Sequence, residues 1–385
     1  MENIETVASF ALSRIFRYEP HLAKAIVETL GSAEAIFRLD KDGLFEALGP
    51  FNKYREPIEG TSLDKASQEL DDILKDGYSY IPHCHPDFPR NLSFCEDAPV
   101  GFFLRSDDSP ANIFSGDRIS IVGTRDITPY GREWCRRLAT ALGETVEKPT
   151  IVSGLAYGVD INAQVGALDN GLKTISVLGN GIDSIYPAAH ASHADRICHT
   201  PGCGIITEYP PGADVTATNF LCRNRIIAGL SRATVLVESK LRGGGMTTAR
   251  QASSYSRDVF AIPGRSDDVF SQGCNCLIQS HLAEPIISVE EFISNLGYHH
   301  VGTVRNKPAA MAPKDYYSGS MDANKIDLAS RILLMVRKNR GIAVGEMAAS
   351  LHLPYHEVIA LVTRLEGDGF IEVDILQRCS IKKIA

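Results

Sequence analysis

Several features that define common protein classes are missing from this sequence. No run approaches the ~20 apolar residues of a transmembrane helix, and the first residues, MENIETVASF, include early acidic residues rather than the apolar core of a secretory signal. A hydrophobic content of 44% with 22% charged residues is ordinary for a globular chain. We therefore expect a cytoplasmic protein that makes no membrane contact.

Metal and cofactor signatures are missing too. None of the nine cysteines forms a CxxC pair, which favours free thiols in a reducing compartment. The nearest approach to a metal motif is His83, Cys84 and His85, but no second ligand pair follows at finger-like spacing. There is no GxGxxG fingerprint and no GK[ST] phosphate loop. We expect neither a metal nor a nucleotide cofactor.

The chain also lacks an overall positive charge. Its formal net charge of −8 over 385 residues argues against a general polyanion binder, because long-range steering would be unfavourable. One local stretch, 219–252, has the opposite balance, with six cationic residues against one acidic residue, a net of +5. These are Arg223, Arg225, Arg232, Lys240, Arg242 and Arg250 against Glu238. We expect an anion to bind there.

Three consecutive glycines lie inside this basic stretch. Ala233 to Val237 is typical of a buried parallel strand, and Thr247 to Ser254 can begin a helix. Glycines at such a turn let backbone N–H groups approach an oxygen-rich ligand, and the helix N-terminus adds about half a positive charge. The alternative is a tight loop without a ligand. The flanking cations favour a phosphate site.

The order of elements predicts an α/β protein with two smaller flanking domains. Residues 1–76 show helical periodicity and predict a small helical domain, whereas 77–117 are typical of an extended arm, with Val100 to Leu104 as an added strand. The strand, glycine turn and helix pattern after residue 117 predicts a Rossmann-like, mostly parallel sheet covered on both faces, so that the second domain spans 77–296. The predicted strands are Ile119 to Val122, Thr150 to Val152, Thr174 to Leu178, Gly204 to Thr207, Ala233 to Val237 and Val259 to Ile262.

Three turns follow strands of this predicted sheet. They contain Gly123, Thr124 and Arg125 after the first strand, Ser153, Gly154 and Gly158 after the second, and Gly179, Asn180 and Gly181 after the third. Because the carboxyl ends of parallel strands share one edge, all three turns should lie at the ligand site.

The C-terminal part predicts a linker and a second small domain. Residues 297–324 have no sustained period and are typical of a linker. Helices at 326–339, 344–351 and 355–365 with a β-like tail predict a winged helix over 325–385. Its would-be recognition helix sets Arg364 against Glu357, Glu366 and Asp368, a charge balance that is wrong for contact with DNA phosphates. We therefore favour a protein-contact or regulatory winged helix over a transcription factor, which would require a basic reading surface.

The α/β region contains eight short sequence motifs in a fixed order. They are SIVGTR, IVSGLAYGVD, SVLGNGIDSIYP, TEYPPG, NFLCRNRIIAGLS, GGGMTTA, VFAIPG and SQGCNCLI. In order and spacing they resemble the DNA-processing protein A (DprA, also called Smf) family over about residues 78–296. The resemblance implies a Rossmann-like core that binds single-stranded DNA as a homodimer and delivers it to the RecA recombinase in natural transformation. It also implies that the flanking helical domain, of a SAM or helix-hairpin-helix kind, and the winged helix are family extensions.

The same resemblance, together with the turns above, gives the expected binding residues. They are Gly123, Thr124, Arg125, Ser153, Gly154, Phe220, Arg223, Asn224, Arg225, Lys240, Gly243, Gly244 and Gly245. Cations along the backbone and rings stacked on bases hold single strands without sequence preference, and Phe220 is the expected stacking ring. The alternative for Phe220 is core packing beside Ile226 and Ile227. Arg223 and Arg225 would point about 200° apart on a helix, so we expect one of them to form an internal ion pair.

A second hypothesis is an enzyme. Rossmann-type folds with glycine-rich turns also hydrolyse nucleotides, and Glu238 beside Lys240 could act as a general acid or base. No Ser-His-Asp order, metal cluster or paired carboxylate motif accompanies it, and Asp160 and Glu208 are expected to cap turns or hold the arginines. We therefore expect a binding protein rather than an enzyme.

Overall fold

The computed structural model describes residues 3–49, 52–301, 313–317, 321–339, 341–374 and 377–381. The chain divides into two compact units, Met1–His299 and His300–Ala385. Much of the predicted linker, at 302–312 and 318–320, lies outside the described residues. Within the described residues, no helix is both long and apolar enough to cross a bilayer.

Short helices form the beginning of the first unit, as the periodicity predicts. Side-chain caps start several of them: Asn3 accepts from the N–H of Glu5 in the first helix, and Ser62 accepts from that of Lys65 in the sixth. The helices are α1 Ile4–Ile15, α2 Pro20–Leu30, α3 Ala33–Phe37, α4 Lys41–Leu48, α5 Arg55–Glu59 and α6 Leu63–Lys75. Phe10 of α1 packs in one apolar cluster with Tyr80 and Phe103, so the helices share a core with the region that follows.

A nine-stranded sheet forms the centre of the first unit. Its strands are β1 Ser79–Pro82, β2 Gly101–Arg105, β3 Arg118–Val122, β4 Thr150–Ser153, β5 Thr174–Val177, β6 Gly204–Thr207, β7 Ala233–Leu236, β8 Asp258–Ala261 and β9 Glu284–Pro285. The order is β1-β2-β6-β5-β4-β3-β7-β8-β9. The pairs β1/β2 and β2/β6 are antiparallel and the others parallel. All six predicted parallel strands are confirmed, and the predicted added strand is β2.

The strand order reverses at β3. The chain runs outward from β3 through β4 and β5 to β6, and then returns to place β7 on the other side of β3. Ligands of doubly wound sheets bind where the order reverses, at the carboxyl ends of the strands. The topology therefore predicts a ligand site at the turns that follow β3 and β7.

Helices cover both faces of the sheet, so the central strands β3 to β7 are buried from both sides. They are α7 Arg90–Ser93, α8 Pro110–Ile113, α9 Pro129–Gly143, α10 Val159–Asp169, the 3₁₀ helix Ala188–His190, α11 Ala191–Cys198, α12 Ala217–Leu230, α13 Gly244–Ser254, α14 Gln272–Gln279 and α15 Val289–Asn295. Ile226 of α12 and Met246 of α13 belong to the core on one face. Leu138 of α9, Ala163 of α10 and Phe292 of α15 belong to the core on the other.

The second unit has its own apolar core, which includes Ile332, Val358, Leu365 and Phe370. Its elements are α16 Pro313–Tyr316, α17 Ala323–Lys338, β10 Ile342–Ala343, α18 Val344–Leu351, α19 Tyr355–Gly367, β11 Ile371–Val373 and β12 Arg378–Ile381. The strands form an antiparallel sheet in the order β10-β12-β11. The predicted helices are present, and the assignment of a winged helix to this unit stays a prediction.

Candidate functional site

A groove of about 630 Å³ opens where the carboxyl ends of β3 and β7 meet the first turns of α12 and α13. Its walls come from the turn after β3, the exposed side of α12 and the glycine turn before α13. Predicted residues that line it are Gly123, Thr124, Arg125, Phe220, Arg223, Asn224, Lys240, Gly243, Gly244 and Gly245. Segments far apart in the sequence thus form one site at the strand reversal.

The turn after β3 is fixed by backbone contacts that leave Arg125 exposed. The N–H of Thr124 donates to the carbonyl of Glu238 at 2.7 Å, which ties this turn to the end of β7. Gly158, with φ of 77°, lies against the carbonyl of Thr124, where a Cβ would collide. The side chain of Arg125 projects from this fixed backbone and lines the groove.

Phe220 is half-buried on the wall that α12 provides. Gly179 makes room for its ring, because a Cβ at this position would lie 2.8 Å from Phe220 Cδ1. The guanidinium carbon of Arg125 lies 5.5 Å from the ring centroid, and the ring of Tyr186 lies at 5.5 Å between centroids. Phe220 therefore faces the groove beside an exposed cation, instead of joining Ile226 in the core.

The two arginines of α12 point in different directions, as the helical period predicts. Arg225 forms a buried ion pair with Glu208 at 2.5 Å, which confirms the expected internal pair. Arg225 does not line the groove, so its expected contact with a strand is corrected to a structural role. Burial lowers the pKa of Arg225, but the carboxylates of Glu208 and Asp97 together outweigh this and the net shift is upward.

Arg223 lies beneath the groove with little freedom to reach a ligand. It is only 4% exposed, and its N–H groups donate to Asn224 Oδ1 at 3.2 Å, to the carbonyl of Gly154 at 2.9 Å and to that of Val177. Burial lowers its pKa to about 10, so it stays charged near neutral pH. Arg223 thus adds positive potential to the floor, and Asn224 holds it in place.

Ser153 and Gly154 do not line the groove, which corrects their expected contact. The hydroxyl of Ser153 is buried and donates to the carbonyl of Ile121 at 2.7 Å. Gly154 lies against the guanidinium of Arg223, where a Cβ would collide, and its N–H donates to Asp160 Oδ2 at 3.1 Å. This turn supports the floor rather than the ligand.

The glycine turn before α13 forms another wall of the groove. Helix α13 begins at Gly244, three residues earlier than predicted, with Gly243 as its N-cap. The first N–H groups of a helix have no partner within it and attract anions. The side chains of Lys240 and Arg242 line the groove in front of these glycines. This wall suits a phosphate group.

A family model described as DNA recombination-mediator protein A matches residues 79–297, which is more than half of the chain. The chain belongs to this family. The match covers the sheet, both groove walls and the helices that support them, and it confirms the predicted DprA/Smf resemblance.

Individual members of the family are similar to this chain in sequence and in structure. Protein Smf of Synechocystis is 33% identical over 299 residues, which is 77% of this chain and 74% of that protein. The crystal structure of DprA from Streptococcus pneumoniae has a TM-score of 0.64 and 29% identity and covers 74% of this chain and 97% of that one. DNA processing protein A of Helicobacter pylori, studied for its single-stranded DNA binding mode, has a TM-score of 0.51 and 30% identity, over 58% of this chain and 97% of that one.

The carboxylates near the groove of this DprA/Smf family member have structural partners. Glu238 is 1% exposed, and its oxygens accept from the N–H and the hydroxyl of Thr128 at 2.9 and 2.5 Å, which holds the start of α9. Glu208 pairs with Arg225, and Asp160 caps the turn at Gly154. The expectation that Asp160 and Glu208 cap turns or hold arginines is confirmed.

Further residues line the groove of this family member without being among the expected binding residues: Tyr186, Leu221, Asp126 and Arg242, the last of which is a cation of the basic stretch 219–252. Tyr186 is 42% exposed and lies in the SIYP string, five residues after Gly181 of the third glycine turn. Asp126 lies 4.0 Å from the ammonium group of Lys240. Arg242 is exposed, and within the described chain its side chain has no hydrogen bond or ion pair. Arg242 is thus a cation available to a ligand.

Proposed function

We propose that this protein binds single-stranded DNA in the groove, without strong base preference and without chemical change to the strand. The observation that carries the proposal is that the Phe220 ring lies 5.5 Å from the exposed Arg125 guanidinium in a groove that Lys240 and the glycine turn also line. Cations that follow a backbone and a ring that stacks on a base are the two elements by which proteins hold unpaired strands. The presence of a single-stranded DNA binder among its relatives supports the same ligand.

The preference for an unpaired strand follows from the ring. A base can stack on Phe220 only if one of its faces is free, and in a duplex both faces are covered by neighbouring base pairs. A phosphate at the N-terminus of α13 requires no particular base. The groove should therefore favour single strands over duplex and read little sequence.

We propose binding rather than hydrolysis. Within the described residues that line the groove, only Asp126 and Asp160 carry carboxylates, and Asp160 is buried against Gly154. Glu238, the acid on which the alternative depends, has both oxygens engaged by Thr128 outside the groove lining. A general acid or base must reach its substrate, and this glutamate does not.

The proposal extends to partners through family membership. We propose that the protein acts as a homodimer, protects incoming strands in natural transformation and helps load RecA recombinase onto them. Because RecA acts on DNA in the cytoplasm, we assign the same compartment to this chain.

Fluorescence anisotropy with labelled oligonucleotides tests the proposed function. We expect tighter binding to a single-stranded homopolymer than to a duplex of equal length, and weaker binding by Arg125→Ala, Phe220→Ala and Lys240→Ala. Arg38→Ala is a matched control, because this exposed arginine pairs with Glu34 in the N-terminal helices. Equal affinity for duplex and single strand would contradict the proposal, as would turnover of a nucleotide that Glu238→Gln abolishes.

A further inference from the structure

The turn between α1 and α2 places a cation and an exposed ring against the first turn of α12. The hydroxyl of Tyr18 donates to Asn219 Oδ1 at 3.1 Å, and Asn219 directly precedes Phe220. The guanidinium carbon of Arg17 lies 5.0 Å from the ring centroid of Tyr18 and 5.4 Å from that of Tyr209. We refer to Arg17 and Tyr18 together as the Arg17–Tyr18 corner.

The corner is adjacent to the groove on the same helix. The groove lining reaches the start of α12 through Thr216, Ala217 and Phe220. Asn219 is one residue, or about 100° of helix rotation, from Phe220. Since an α-helix with its side chains is only about 10–12 Å wide, the corner lies within a helix diameter of the groove wall. A strand that leaves the groove over the N-terminus of α12 reaches the corner next.

Both side chains of the corner are available to a ligand. Tyr18 is 46% exposed and Arg17 is exposed. Within the described chain no carboxylate pairs with Arg17, and the neighbouring Glu19 is engaged by Lys53 at 2.9 Å and by the hydroxyl of Tyr54 at 2.7 Å. Arg17 therefore keeps its charge for an external anion.

The chemistry of the corner repeats that of the groove. In the groove the Arg125 guanidinium lies 5.5 Å from the Phe220 centroid, and in the corner the Arg17 guanidinium lies at similar distances from two rings. A stacked guanidinium is held in place with its edge free to donate to a phosphate. Tyr18 is nearly half exposed, so its ring is accessible to a base.

We propose that the Arg17–Tyr18 corner is a second contact site for the same single strand, so that the N-terminal helices lengthen the binding path beyond the groove. The proposal rests on the proposed function. The ligand is a polynucleotide long enough to leave the groove, and the contacts are one phosphate with Arg17 and one base with Tyr18.

A length series tests the corner. Affinities of full-length protein for oligothymidines of about 4 to 24 nucleotides span the site sizes typical of single-strand binders. We expect Arg17→Ala and Tyr18→Ala to lower affinity for the longest oligonucleotide about fivefold or more and to leave the shortest unchanged. Arg17→Ala should also reduce the slope of log K against log salt by about 0.7, for the long oligonucleotide alone.

Two controls separate strand contact from support of the fold. Tyr18→Phe removes the hydrogen bond to Asn219 but keeps the ring, so its long-strand affinity should remain near that of the unchanged protein. Arg14→Ala removes a nearby cation at the end of α1 that is paired with Glu69, and should change affinity for neither the long nor the short oligonucleotide. An ultraviolet cross-link from a 5-bromouracil-containing 24-mer should map to Tyr18.

The outcomes distinguish the two proposals. Loss of affinity at every length in Arg17→Ala would show that the corner only positions α12, and unchanged affinity at every length would show that the strand does not reach it. Either result would contradict the proposal that the strand contacts the Arg17–Tyr18 corner, and neither would contradict single-strand binding in the groove. Failure of the unchanged protein to bind any oligonucleotide would overturn the proposed function itself.

Discussion

Arg225 and Glu208 form an ion pair inside the protein, with 2.5 Å between guanidinium nitrogen and carboxylate oxygen and with side chains 6% and 13% exposed. Burial raises the pKa of Glu208, and Arg225 opposes that shift. Two residues away on the same helix, Arg223 lies beneath the groove. Helix α12 thus uses one arginine to support the fold and another to shape the site.

Removing one partner of this pair should destabilise the protein. We expect Arg225→Met to lower the free energy of unfolding by about 3–5 kcal/mol, because it leaves the Glu208 carboxylate buried without its cation. Urea denaturation measures the change. The double variant Arg225→Met with Glu208→Met should recover most of the loss. A loss in the double variant as large as in the single one would contradict the explanation by an unpaired charge.

Phe220 should contribute to binding through its ring. We expect Phe220→Ala to weaken the affinity for a single-stranded homopolymer by about 1–3 kcal/mol, the usual value of one stacked base. Phe220→Trp keeps a ring that can stack on a base. We expect its affinity to be at least about fivefold higher than that of Phe220→Ala. Anisotropy titrations on both variants check this, and equal losses in alanine and tryptophan variants would argue against stacking.

Neighbouring glycines of the α13 turn should respond in opposite ways to alanine. A Cβ at Gly244 meets nothing within 4 Å, whereas one at Gly245 would lie 2.7 Å from Leu236 Cδ1. We expect Gly244→Ala to stabilise the fold by about 0.4–1 kcal/mol and Gly245→Ala to destabilise it by about 1–3 kcal/mol. Thermal unfolding compares them. Because Gly244 lines the groove, its alanine variant should still bind DNA less tightly, and unchanged affinity would argue against close backbone approach there.

The slope of log K against log salt should depend on the number of cations that contact phosphates. We expect Lys240→Gln and Arg242→Gln each to reduce the slope of log K against log salt by about 0.7, the value for one phosphate contact on a single strand. Arg265→Gln is the control, since Arg265 pairs with Asp267 at 2.9 Å and is outside the groove lining. A slope that changes as much in Arg265→Gln would contradict a local contact.

Asp108 should contribute stability that depends on pH. Hydrogen bonds from the backbone N–H groups of Ser109 and Gly202 and from the Asn112 side chain lower its pKa. The folded state therefore binds the Asp108 proton more weakly than the unfolded chain does. The stabilisation is complete above the ordinary aspartate pKa of about 3.9 and is lost as pH falls through the lowered value.

Urea midpoints of the unchanged protein and of Asp108→Asn between about pH 3 and pH 7 check this. The midpoints should differ at neutral pH, and the difference should shrink in acid. A difference that stays constant to the lowest pH would mean that the carboxylate charge has no part in it.

Much of the fold follows from local patterns. Buried β-branched runs such as Ile119 to Val122 and Ala233 to Val237 predicted strands that are present within one or two residues, because a strand covered on both faces must be apolar. The start of α13 was predicted three residues late, because glycine has low helix propensity. Here packing of Gly245 against Leu236 and Gly123 outweighs that propensity.

The site was predicted less completely than the fold. Ser153 and Gly154 lie at the carboxyl end of one strand as Thr124 and Arg125 do at that of another, yet only the latter two line the groove. The difference depends on which strands flank the reversal, and no local pattern contains the strand order. Tyr186 was missed for the same reason, since its ring meets Phe220 only after β5 and α12 are placed side by side.

The sequence by itself determined the parallel sheet, the family, the basic and glycine-rich stretch, and the fact that Arg223 and Arg225 cannot share one side of a helix, because all of these depend on composition, spacing and helical period. Only the tertiary structure decided which arginine is paired with Glu208, which turns line the groove and that Tyr18 meets Asn219. These depend on contacts between residues as much as 201 positions apart, and such contacts are set by packing rather than by any local preference.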